Sequence, residues 1–426
     1  GYGLSSAEVY DPETDSWSTI DALSVDRFRH TATLLPDGRV VVVGGDGGGP
    51  PSAALNSVEV YNPAAPSWST ATAMNVERGK HTATLLKNGK VLVVGGYNNG
   101  SAVATAEIYD PQTDAWTPAT SMDTARYYHT ATLLPSGSVL VTGGISAGLS
   151  ISSVELYNPG TNTWTSKNGM NIARRHHTAT LLPSGKVLVA GGVSSGYTNT
   201  TEVYDPAVNS WTYMANLSTS RANHTATLLP SGRVLVTGGE TTGAALLNSA
   251  ETYSLEQNAW YSLPVMAVAR GNHSAALLLT GKVLVTGGGG FSTAATNSVS
   301  LFDPGLNFAE TWRPVLTPIS GSLMKGYPFS ATGSGLLGYW YCEANSGASN
   351  SSAANYPLVQ ILRIDNEQVL FLNAVSFDDN EYLSTNINAF QPGPALVTTF
   401  VNGIPSLAKF IYFTYEKKLF LPLVRR

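Results

Sequence analysis

One run of residues occurs six times along the chain and fixes its architecture before any local motif is considered. Its second copy reads Arg78-Gly-Lys-His81-Thr-Ala-Thr-Leu-Leu-Lys-Asn-Gly-Lys-Val-Leu-Val-Val-Gly95-Gly96. In every copy an arginine stands three residues before a histidine, and a glycine pair closes the run. Successive glycine pairs lie 47 to 51 residues apart. A period of this size is typical of stacked or radially arranged structural units.

A second pattern alternates with the first. It is seen in Val58-Glu59-Val60-Tyr61-Asn62-Pro63, which is followed by Trp68. Six copies keep the tryptophan seven residues after the tyrosine, and a seventh, degenerate copy carries Ser300, Phe302 and Trp312. Each period therefore contains two half-units, and each half-unit supplies its own constant residues.

The two half-units together predict four short β-strands per period. His-Thr-Ala-Thr-Leu-Leu turns tightly into Lys-Val-Leu-Val-Val, which is apolar nearly throughout and should be buried on both faces. Val-Glu-Val-Tyr alternates with a period of two, and the Asx-Pro turn leads to a fourth strand at the tryptophan. Repeated four-stranded sheets predict an all-β propeller. A helical solenoid would need a 3.6-residue periodicity, which the repeat lacks.

Composition excludes several classes of protein. The chain has 426 residues, of which 12% are charged, and 24 basic against 29 acidic residues give a net charge of −5. No basic patch predicts a nucleic-acid partner, and no apolar run is long enough to predict a membrane span. The single cysteine, Cys342, excludes an internal disulfide framework. Low charge with Ser-, Thr- and Asn-rich loops favours an extracellular or cell-surface location.

The recurring residues resemble a known repeat. The order of glycine pair, tyrosine, tryptophan and arginine resembles the kelch repeat. His-Thr-Ala-Thr-Leu-Leu with Glu-Val-Tyr-Asp-Pro is similar to the propeller of galactose-oxidase-like proteins. The likeness covers residues 1–312. It implies that residues 313–416 form an immunoglobulin-like (E-set) sandwich, which their short alternating strands also favour. Residues 417–426 are predicted to be an apolar C-terminal strand or tail.

The two kinds of half-unit do not occur in equal numbers. Pairs of first and second strands number six, and pairs of third and fourth strands number seven. Gly1-Tyr2 aligns with Gly96-Tyr97, so the first blade should lack its inner half. We therefore expect seven blades with the first incomplete. The alternative is a closed ring of six blades with a surplus hairpin.

The resemblance to galactose-oxidase-like proteins suggests that the chain is a copper radical oxidase, but its residues argue against this activity. The resemblance implies two tyrosines, two histidines and a tyrosine crosslinked to cysteine, with one histidine supplied by the sandwich. No histidine follows His273, and Cys342 lies in or near the predicted sandwich rather than in a blade. Tyr128-His129 belongs to the repeat series. We therefore expect no enzyme activity, no cofactor and no metal.

The constant polar residues are better explained by architecture than by chemistry. One arginine, one histidine and one glutamate per unit predict repeated hydrogen bonds or ion pairs that set blade register. Tyrosine and tryptophan should pack between sheets, and His176 lies outside the histidine series and should be exposed. The residues assigned to this framework are Arg78, His81, Gly95, Gly96, Glu59, Tyr61 and Trp68.

The residues that differ between repeats are the remaining candidates for a functional role. The loops that follow the glycine pairs share one face with the connections between blades, which makes that face the expected binding surface. Asp46, Tyr97, Asn99 and Tyr197 are its candidate binding residues.

We expect a non-catalytic extracellular scaffold or adhesion protein. It could assemble into a filament if the tail completes the incomplete blade of another copy. The candidate assembly residues are Leu419, Phe420, Leu421, Leu423 and Val424. The alternatives are a glycan-binding module and, last, a copper oxidase. The expected partners are accordingly other copies of the chain or extracellular glycans.

Overall fold

The structure is a computed structural model. It describes residues 3–303 except 13, 50–52, 183, 230, 279–281 and 291–294. Beyond residue 303 it describes only the backbone of the strands named below. The chain divides into two compact units, Gly1–Ala309 with Tyr339–Asn355, and Glu310–Gly338 with Tyr356–Arg426.

The first unit is an all-β propeller with six blades. Blades 1 to 5 have four antiparallel strands each, and the described part of blade 6 has three. In chain order the strands are Thr31–Leu34, Val40–Val43, Val58–Asn62 and Ser67–Ala71 in blade 1; Thr82–Leu85, Val91–Val94, Ala106–Asp110 and Ala115–Ala119 in blade 2; Thr130–Leu133, Val139–Thr142, Val154–Asn158 and Thr163–Lys167 in blade 3; Thr178–Leu181, Val187–Ala190, Thr201–Asp205 and Ser210–Met214 in blade 4; Thr225–Leu228, Val234–Thr237, Ala250–Ser254 and Ala259–Leu263 in blade 5; and Ser274–Leu277, Val283–Thr286 and Val299–Phe302 in blade 6.

The prediction of seven blades is corrected to six, the alternative that the repeat count left open. Ala7–Asp11 and Ser16–Ile20 form a two-stranded sheet of their own. A blade needs two inner strands, and no other described strand pairs with this hairpin. The count of half-units could not show this, because it does not say which half-units pair.

Short strands elaborate the ends of the blades. They pair as Arg27–Phe28 with Asp46–Gly47, Tyr97–Asn98 with Ser101–Ala102, Ile145–Ser146 with Leu149–Ser150, and Glu240–Thr241 with Ala245–Leu246. A 3-10 helix occupies Thr242–Ala244. Asn350–Ser351 runs parallel to Thr31 and Ala32 of blade 1.

The first strands are the innermost elements. Each contacts the first strand of the next blade, from Thr31–Leu34 through to Ser274–Leu277. They therefore surround the propeller axis. The apolar second strands are buried except at Val40 and Thr286, which are half-buried. Leu92 and Val94 of blade 2 pack in one cluster with Val139, Val141 and Tyr157 of blade 3. The core thus lies between successive blades.

The described strands of the second unit form two sheets. One orders Val315–Leu316, Pro328–Ser334, Glu381–Asn386 and Ala374–Phe377. The other orders Leu323–Met324, Lys409–Thr414, Gly393–Val401, Leu358–Arg363 and Val369–Leu372, and Ile404–Pro405 pairs with Gly393–Val401. The immunoglobulin-like sandwich stays a prediction. The predicted tail 417–426 lies outside the described residues.

Candidate functional site

Each repeat arginine holds two blades together. Arg78 is fully buried, and its Nη2 donates to Glu107 Oε1 at 2.9 Å. Its Nη1 donates to the carbonyls of Gly95 and Thr105, both at 2.8 Å. Its own carbonyl accepts from Gly45 N of blade 1 at 2.9 Å. The backbone of this arginine thus binds one blade, and its side chain binds the next.

The glutamate completes this joint by binding the connection between blades. Glu107 Oε2 accepts from Asn75 N at 2.8 Å, and Oε1 accepts from Val76 N at 3.2 Å. Glu59 does the same in blade 1, where it accepts from Ser24 N at 2.7 Å and Arg27 Nη2 at 2.6 Å. A buried carboxylate with several donors and a buried guanidinium is a fully paired charge.

The histidines link neighbouring first strands. His81 Nε2 shares a hydrogen bond of 3.0 Å with Thr31 Oγ1 of the preceding blade. The same contact joins His129 to Thr82, His177 to Thr130, His224 to Thr178 and His273 to Thr225. Burial lowers the pKa of His129 and of His273 to about 3, so these rings are neutral near pH 7.

The glycine pair lies where the next blade leaves no room for a side chain. Gly95 has φ +62°, and a Cβ there would stand 2.6 Å from the carbonyl oxygen of Arg126 and 2.7 Å from His129 Cε1. Gly96 N donates to that same arginine carbonyl at 2.8 Å. Positive φ and close backbone approach both demand glycine here.

The aromatic residues pack as pairs within a blade. The ring centroids of Tyr61 and Trp68 lie 5.2 Å apart at an angle of 46°. Trp68 Nε1 donates to the carbonyl of Asp21 at 2.8 Å, and this residue lies just after the N-terminal hairpin. These aromatic groups therefore belong to the framework that joins neighbouring sheets.

A second set of residues varies between blades and surrounds the axis. The residue directly before each repeat histidine lies two positions before the first strand of its blade, at the same end of the propeller. We call these six residues the axial ring: Arg29, Lys80, Tyr128, His176, Asn223 and Asn272. Backbone hydrogen bonds join them in blade order, from Lys80 N to Arg29 O at 3.1 Å through to Asn272 N to Asn223 O at 2.9 Å.

All six residues of the axial ring adopt a left-handed backbone conformation, with φ between 52° and 56°. Asparagine tolerates this region, but arginine, lysine, tyrosine and histidine adopt it rarely, at a cost of roughly 1–2 kcal/mol each. Residues with strained backbone conformations of this kind cluster at binding and catalytic sites. The axial ring is therefore our candidate functional site.

An aromatic cluster occupies the part of the ring formed by blades 2 to 4. Lys80 Nζ lies 4.1 Å from the ring centroid of Tyr97 and 5.5 Å from that of Tyr127. The rings of Tyr128 and His176 lie 3.9 Å apart. We call Lys80, Tyr97, Tyr127, Tyr128 and His176 the axial cluster. A cation against several aromatic faces is held by the quadrupoles of the rings.

The axial cluster is partly withdrawn from water. Burial raises the pKa of Tyr128 to about 12 and lowers that of His176 to about 3. Burial and the neighbouring Arg29 lower the pKa of Lys80. His176, which we expected to be exposed, is half-buried because it occupies the ring position of blade 4 and stacks on Tyr128.

The opposite side of the ring, in blades 5 and 6, contains a buried carboxylate. Glu240 is buried and accepts from Asn223 Nδ2 at 3.0 Å and from Asn272 Nδ2 at 2.8 Å. Burial and the Glu240 carboxylate raise the pKa of Tyr197. Tyr197 therefore lies close to Glu240.

Two other predicted binding residues contribute to the framework of this face. Asp46 is buried and accepts from Arg29 Nη1 at 3.1 Å. Asn99 is exposed but engaged at both ends, since Oδ1 accepts from Ala54 N at 3.1 Å and Nδ2 donates to Glu77 Oε2 at 3.2 Å. The structure brings Asp46 and Tyr97 to the axial ring, while Asn99 joins the loops of blades 1 and 2.

The predicted assembly residues, Leu419 to Val424, lie outside the described residues. Within the part of the chain that the structure describes, no group of three or more His, Cys, Asp or Glu side chains could hold a metal ion. The same residues include no helix long and apolar enough to cross a membrane.

The fold and its repeated contacts define a six-bladed β-propeller, and its first four blades match a kelch-repeat family. Residues 29–220 match the family model described as the KLHDC2/KLHL20/DRC7 Kelch-repeats domain. Among curated proteins, Kelch-like protein 6 of Homo sapiens is 35% identical over 91 residues, which are 21% of this chain and 14% of that protein. Kelch-like protein 28 of Mus musculus is 33% identical over 103 residues, 23% of this chain and 18% of that protein.

A third relative is tRNA wybutosine-synthesizing protein 4 of Saccharomyces cerevisiae, 46% identical over 57 residues, which are 13% of this chain and 8% of that protein. The chain therefore spans less than a fifth of the length of these relatives. A solved structure, a novel fungal alcohol oxidase of the AA5 family in complex with copper, matches with a TM-score of 0.60 and 19% identity. That match covers 97% of this chain and 91% of the oxidase and shows a shared fold only.

Proposed function

We propose that this chain is a non-catalytic binding module that captures a segment of a partner protein at the axial ring. The observation that carries the proposal is the left-handed conformation of Arg29, Lys80, Tyr128 and His176, four residue types that rarely adopt it. Two of the relatives are Kelch-like proteins, and protein binding by this propeller is consistent with that similarity.

The composition of the ring favours a protein ligand. It offers a cation, aromatic faces and amides within one surface, and interfaces are enriched in tyrosine and arginine at their centres. The ring also sits on first strands that the arginine and histidine contacts hold rigidly. A preorganised surface binds with a smaller entropic cost than a flexible one.

Selection of peptides from a random displayed library on the purified protein tests the proposal. We expect the selection to enrich peptides that bind the protein. Tyr97→Ala should lower its affinity for these peptides at least about tenfold, as removal of an interface aromatic does. Tyr213→Ala is the matched control, because Tyr213 is 55% exposed on the outer strand of blade 4. Absence of any enriched peptide, or equal weakening by both variants, would contradict the proposal.

Glycan binding is the second candidate, and the three tyrosines of the axial cluster favour it. Ring faces of tyrosine stack on sugars, and Tyr97 and Tyr127 lie 4.8 Å apart between centroids. A glycan array separates the two functions. Binding that Tyr97→Ala abolishes would favour this candidate over a protein ligand.

The extracellular scaffold and the filament remain part of the proposal. The hairpin of Ala7–Asp11 and Ser16–Ile20 exposes Val9 and Trp17 at 40% each, and a strand could add to its edge. Deleting residues 417–426 should abolish assembly if the tail is the added strand. A full-length protein that sediments as a monomer at every concentration would contradict this version.

Copper oxidation of alcohols is the activity that the proposal excludes. Incubating the protein with Cu(II) and primary alcohols should yield no hydrogen peroxide. Peroxide formed in proportion to the protein would overturn the non-catalytic assignment.

A further inference from the structure

The N-terminal hairpin carries the acceptors of an arginine site whose arginine it does not supply. In blade 1 the Arg27 guanidinium donates to Ser57 Oγ at 3.1 Å and to Glu59 Oε1 at 2.6 Å. Blades 2 to 5 repeat this pair of acceptors, with a serine or threonine two residues before the glutamate. The hairpin keeps both acceptors as Ser6 and Glu8, which are exposed. Among the described residues, none donates a hydrogen bond to either side chain.

The inner edge of the hairpin also lacks a partner strand among the described residues. In blade 1 the strand Val58–Asn62 pairs on its inner side with Val40–Val43. The equivalent strand of the hairpin, Ala7–Asp11, pairs with Ser16–Ile20 on its outer side and with no other described strand. An unpaired edge of this kind is a template for a further strand.

Blade 6 exposes the apolar face that a following inner strand would cover. Val299 and Leu301 of its third strand are 41% and 44% exposed. Val154 of blade 3 is the counterpart of Val299, and it is 1% exposed because it packs in one cluster with Val187 and Val189 of blade 4. The second strand of the next blade thus buries this position in blade 3, and blade 6 has no such cover.

These features belong to one place in the ring, between blade 6 and blade 1. Contacts between neighbouring first strands run from blade 1 to blade 6, and no comparable contact joins Ser274–Leu277 to Thr31–Leu34, which the structure describes in full. The hairpin precedes blade 1 as each blade precedes the next, through the bond from Trp68 Nε1 to the Asp21 carbonyl. The exposed edge and the exposed face therefore flank the same break in the ring of first strands.

The predicted C-terminal strand fits this edge in the register of the repeat. Residues 419–424 are apolar throughout, as the second strands of the blades nearly are. In blade 1 Val43 stands opposite Val58, and the same pairing sets Val424 opposite Ala7. The tail then continues antiparallel to the hairpin strand, as a second strand does.

This register places the proline of the tail where a strand tolerates it. Pro422 lies opposite Val9. In blade 1 the bond from Gly44 N to Ser57 O at 3.1 Å makes the equivalent pair of residues a non-hydrogen-bonded one. Proline has no N–H, and it is accepted on an edge strand where that N–H would point away from the ladder.

The same register sets Arg425 opposite Ser6. Side chains directly opposite each other, and those of every second residue along a strand, lie on one face of a sheet. Arg425 therefore shares a face with Ser6 and Glu8, at a diagonal distance that a long side chain spans. A serine hydroxyl and a glutamate carboxylate are the side-chain acceptors that the repeat arginine of blade 1 uses.

We propose that Ser6 and Glu8 bind the Arg425 guanidinium of a second copy of this chain, whose residues 419–424 add to the inner edge of the hairpin. This inference rests on the filament in the proposed function and deepens it by naming the binding site, the register and the ion pair. The second copy supplies the strand and the arginine without which the site is incomplete. Because donor and acceptor lie in different parts of the chain, the contact repeats from head to tail.

Charge reversal on the two sides tests the ion pair. Glu8→Arg and the double variant Arg425→Glu, Arg426→Glu should each raise the dissociation constant of assembly at least about tenfold, because like charges then meet in the site. Sedimentation velocity measures this constant. An equimolar mixture of the two variants should assemble as the parent does, since each tail then meets an opposite charge. Glu256→Arg is the matched control, because Glu256 is exposed on a turn of blade 5, and it should leave assembly unchanged.

A disulfide tests the register. With Cys342 replaced by serine, Val9→Cys with Pro422→Cys should form a disulfide between copies, because a directly opposite pair brings the two Cβ atoms to about 4.5–5.5 Å. Val9→Cys with Leu421→Cys should not, because adjacent residues of a strand face opposite sides. Equal yields from the two pairs would overturn the register, and a disulfide within a monomer would overturn the role of a second copy.

The filament and the ion pair fail differently. If the full chain stays monomeric at every concentration, both are wrong. If the chain assembles but Glu8→Arg assembles as tightly as the parent, or if the mixture of variants does not recover assembly, the filament stands and the arginine site is wrong. Peptide capture at the axial ring is measured separately, and these results leave it unchanged.

Discussion

Removing Glu155 from the joint between blades 2 and 3 should cost a large part of the stability of the propeller. Its side chain is 2% exposed, and its Oε1 accepts from the fully buried Arg126 Nη2 at 2.7 Å. It also accepts from the backbone N–H groups of Asp123 at 2.7 Å and Thr124 at 3.2 Å. Glu155→Ala leaves three donors, one of them the buried Arg126 guanidinium, without this acceptor.

The expected loss follows from the burial of the remaining charge. Breaking a buried ion pair by removing one partner costs about 3–5 kcal/mol in unfolding free energy. Lys90→Met is the control, because Lys90 pairs with Asp110 at 3.0 Å while 41% of its side chain is exposed. An exposed pair contributes about 0–1 kcal/mol.

Urea unfolding followed by tryptophan fluorescence and far-UV circular dichroism measures both changes. We expect a lower midpoint with an unchanged slope for Glu155→Ala and almost no change for Lys90→Met. If Glu155→Ala loses no more free energy than Lys90→Met, the repeated ion pairs do not hold the blades together, and our reasoning on the framework is refuted.

Three further predictions concern the same framework. Gly95→Ala should lower the unfolding free energy of the propeller far more than Gly148→Ala does. Gly148 also has a positive φ, but a Cβ there would have no atom within 4 Å. Equal unfolding free energies of the two variants would show that crowding by the next blade is unimportant. Burial lowers the pKa of the repeat histidines, as for His129 to about 3, so the unfolded state binds protons at a higher pH than the folded state does. The unfolding free energy should therefore be constant above the ordinary histidine pKa near 6.5. Below that pH it should fall by about 1.4 kcal/mol per pH unit for each histidine. Urea midpoints that stay constant from pH 7 to pH 5 would contradict this. Trp164→Phe, which removes the 2.7 Å bond from Nε1 to the carbonyl of Thr120, should cost about 1 kcal/mol in the same assay, and no measurable loss would argue against the contact.

The framework was readable from the sequence because it repeats. Arg78, Glu107 and His81 recur in register, and six copies of one pattern leave few alternatives to a propeller. The apolar run Val91–Val94 predicted a buried strand, and this strand is fully buried. The repeat could not show which half-units pair, so the seventh blade was wrong.

The axial ring was missed for a physical reason. A left-handed backbone cannot be read from lysine, tyrosine or histidine, since these residues rarely adopt it. The signal was nonetheless present in the repeat itself. Two variable positions stand between the constant arginine and histidine, as in Arg78-Gly79-Lys80-His81 and Arg174-Arg175-His176-His177. Variation enclosed by constant residues marks side chains that the framework does not specify.

Constant residues form the framework of the propeller, and the variable residues of the axial ring form a binding surface that its stability does not need. One stability measurement tests this distinction. The triple variant Lys80→Asn, Tyr128→Asn and His176→Asn places a residue that tolerates positive φ at three ring positions. We predict an unfolding free energy within about 1 kcal/mol of the parent or above it, because relief of strain offsets the lost ring contacts. A loss of several kcal/mol would show that the axial ring holds the propeller together, and it would contradict the account.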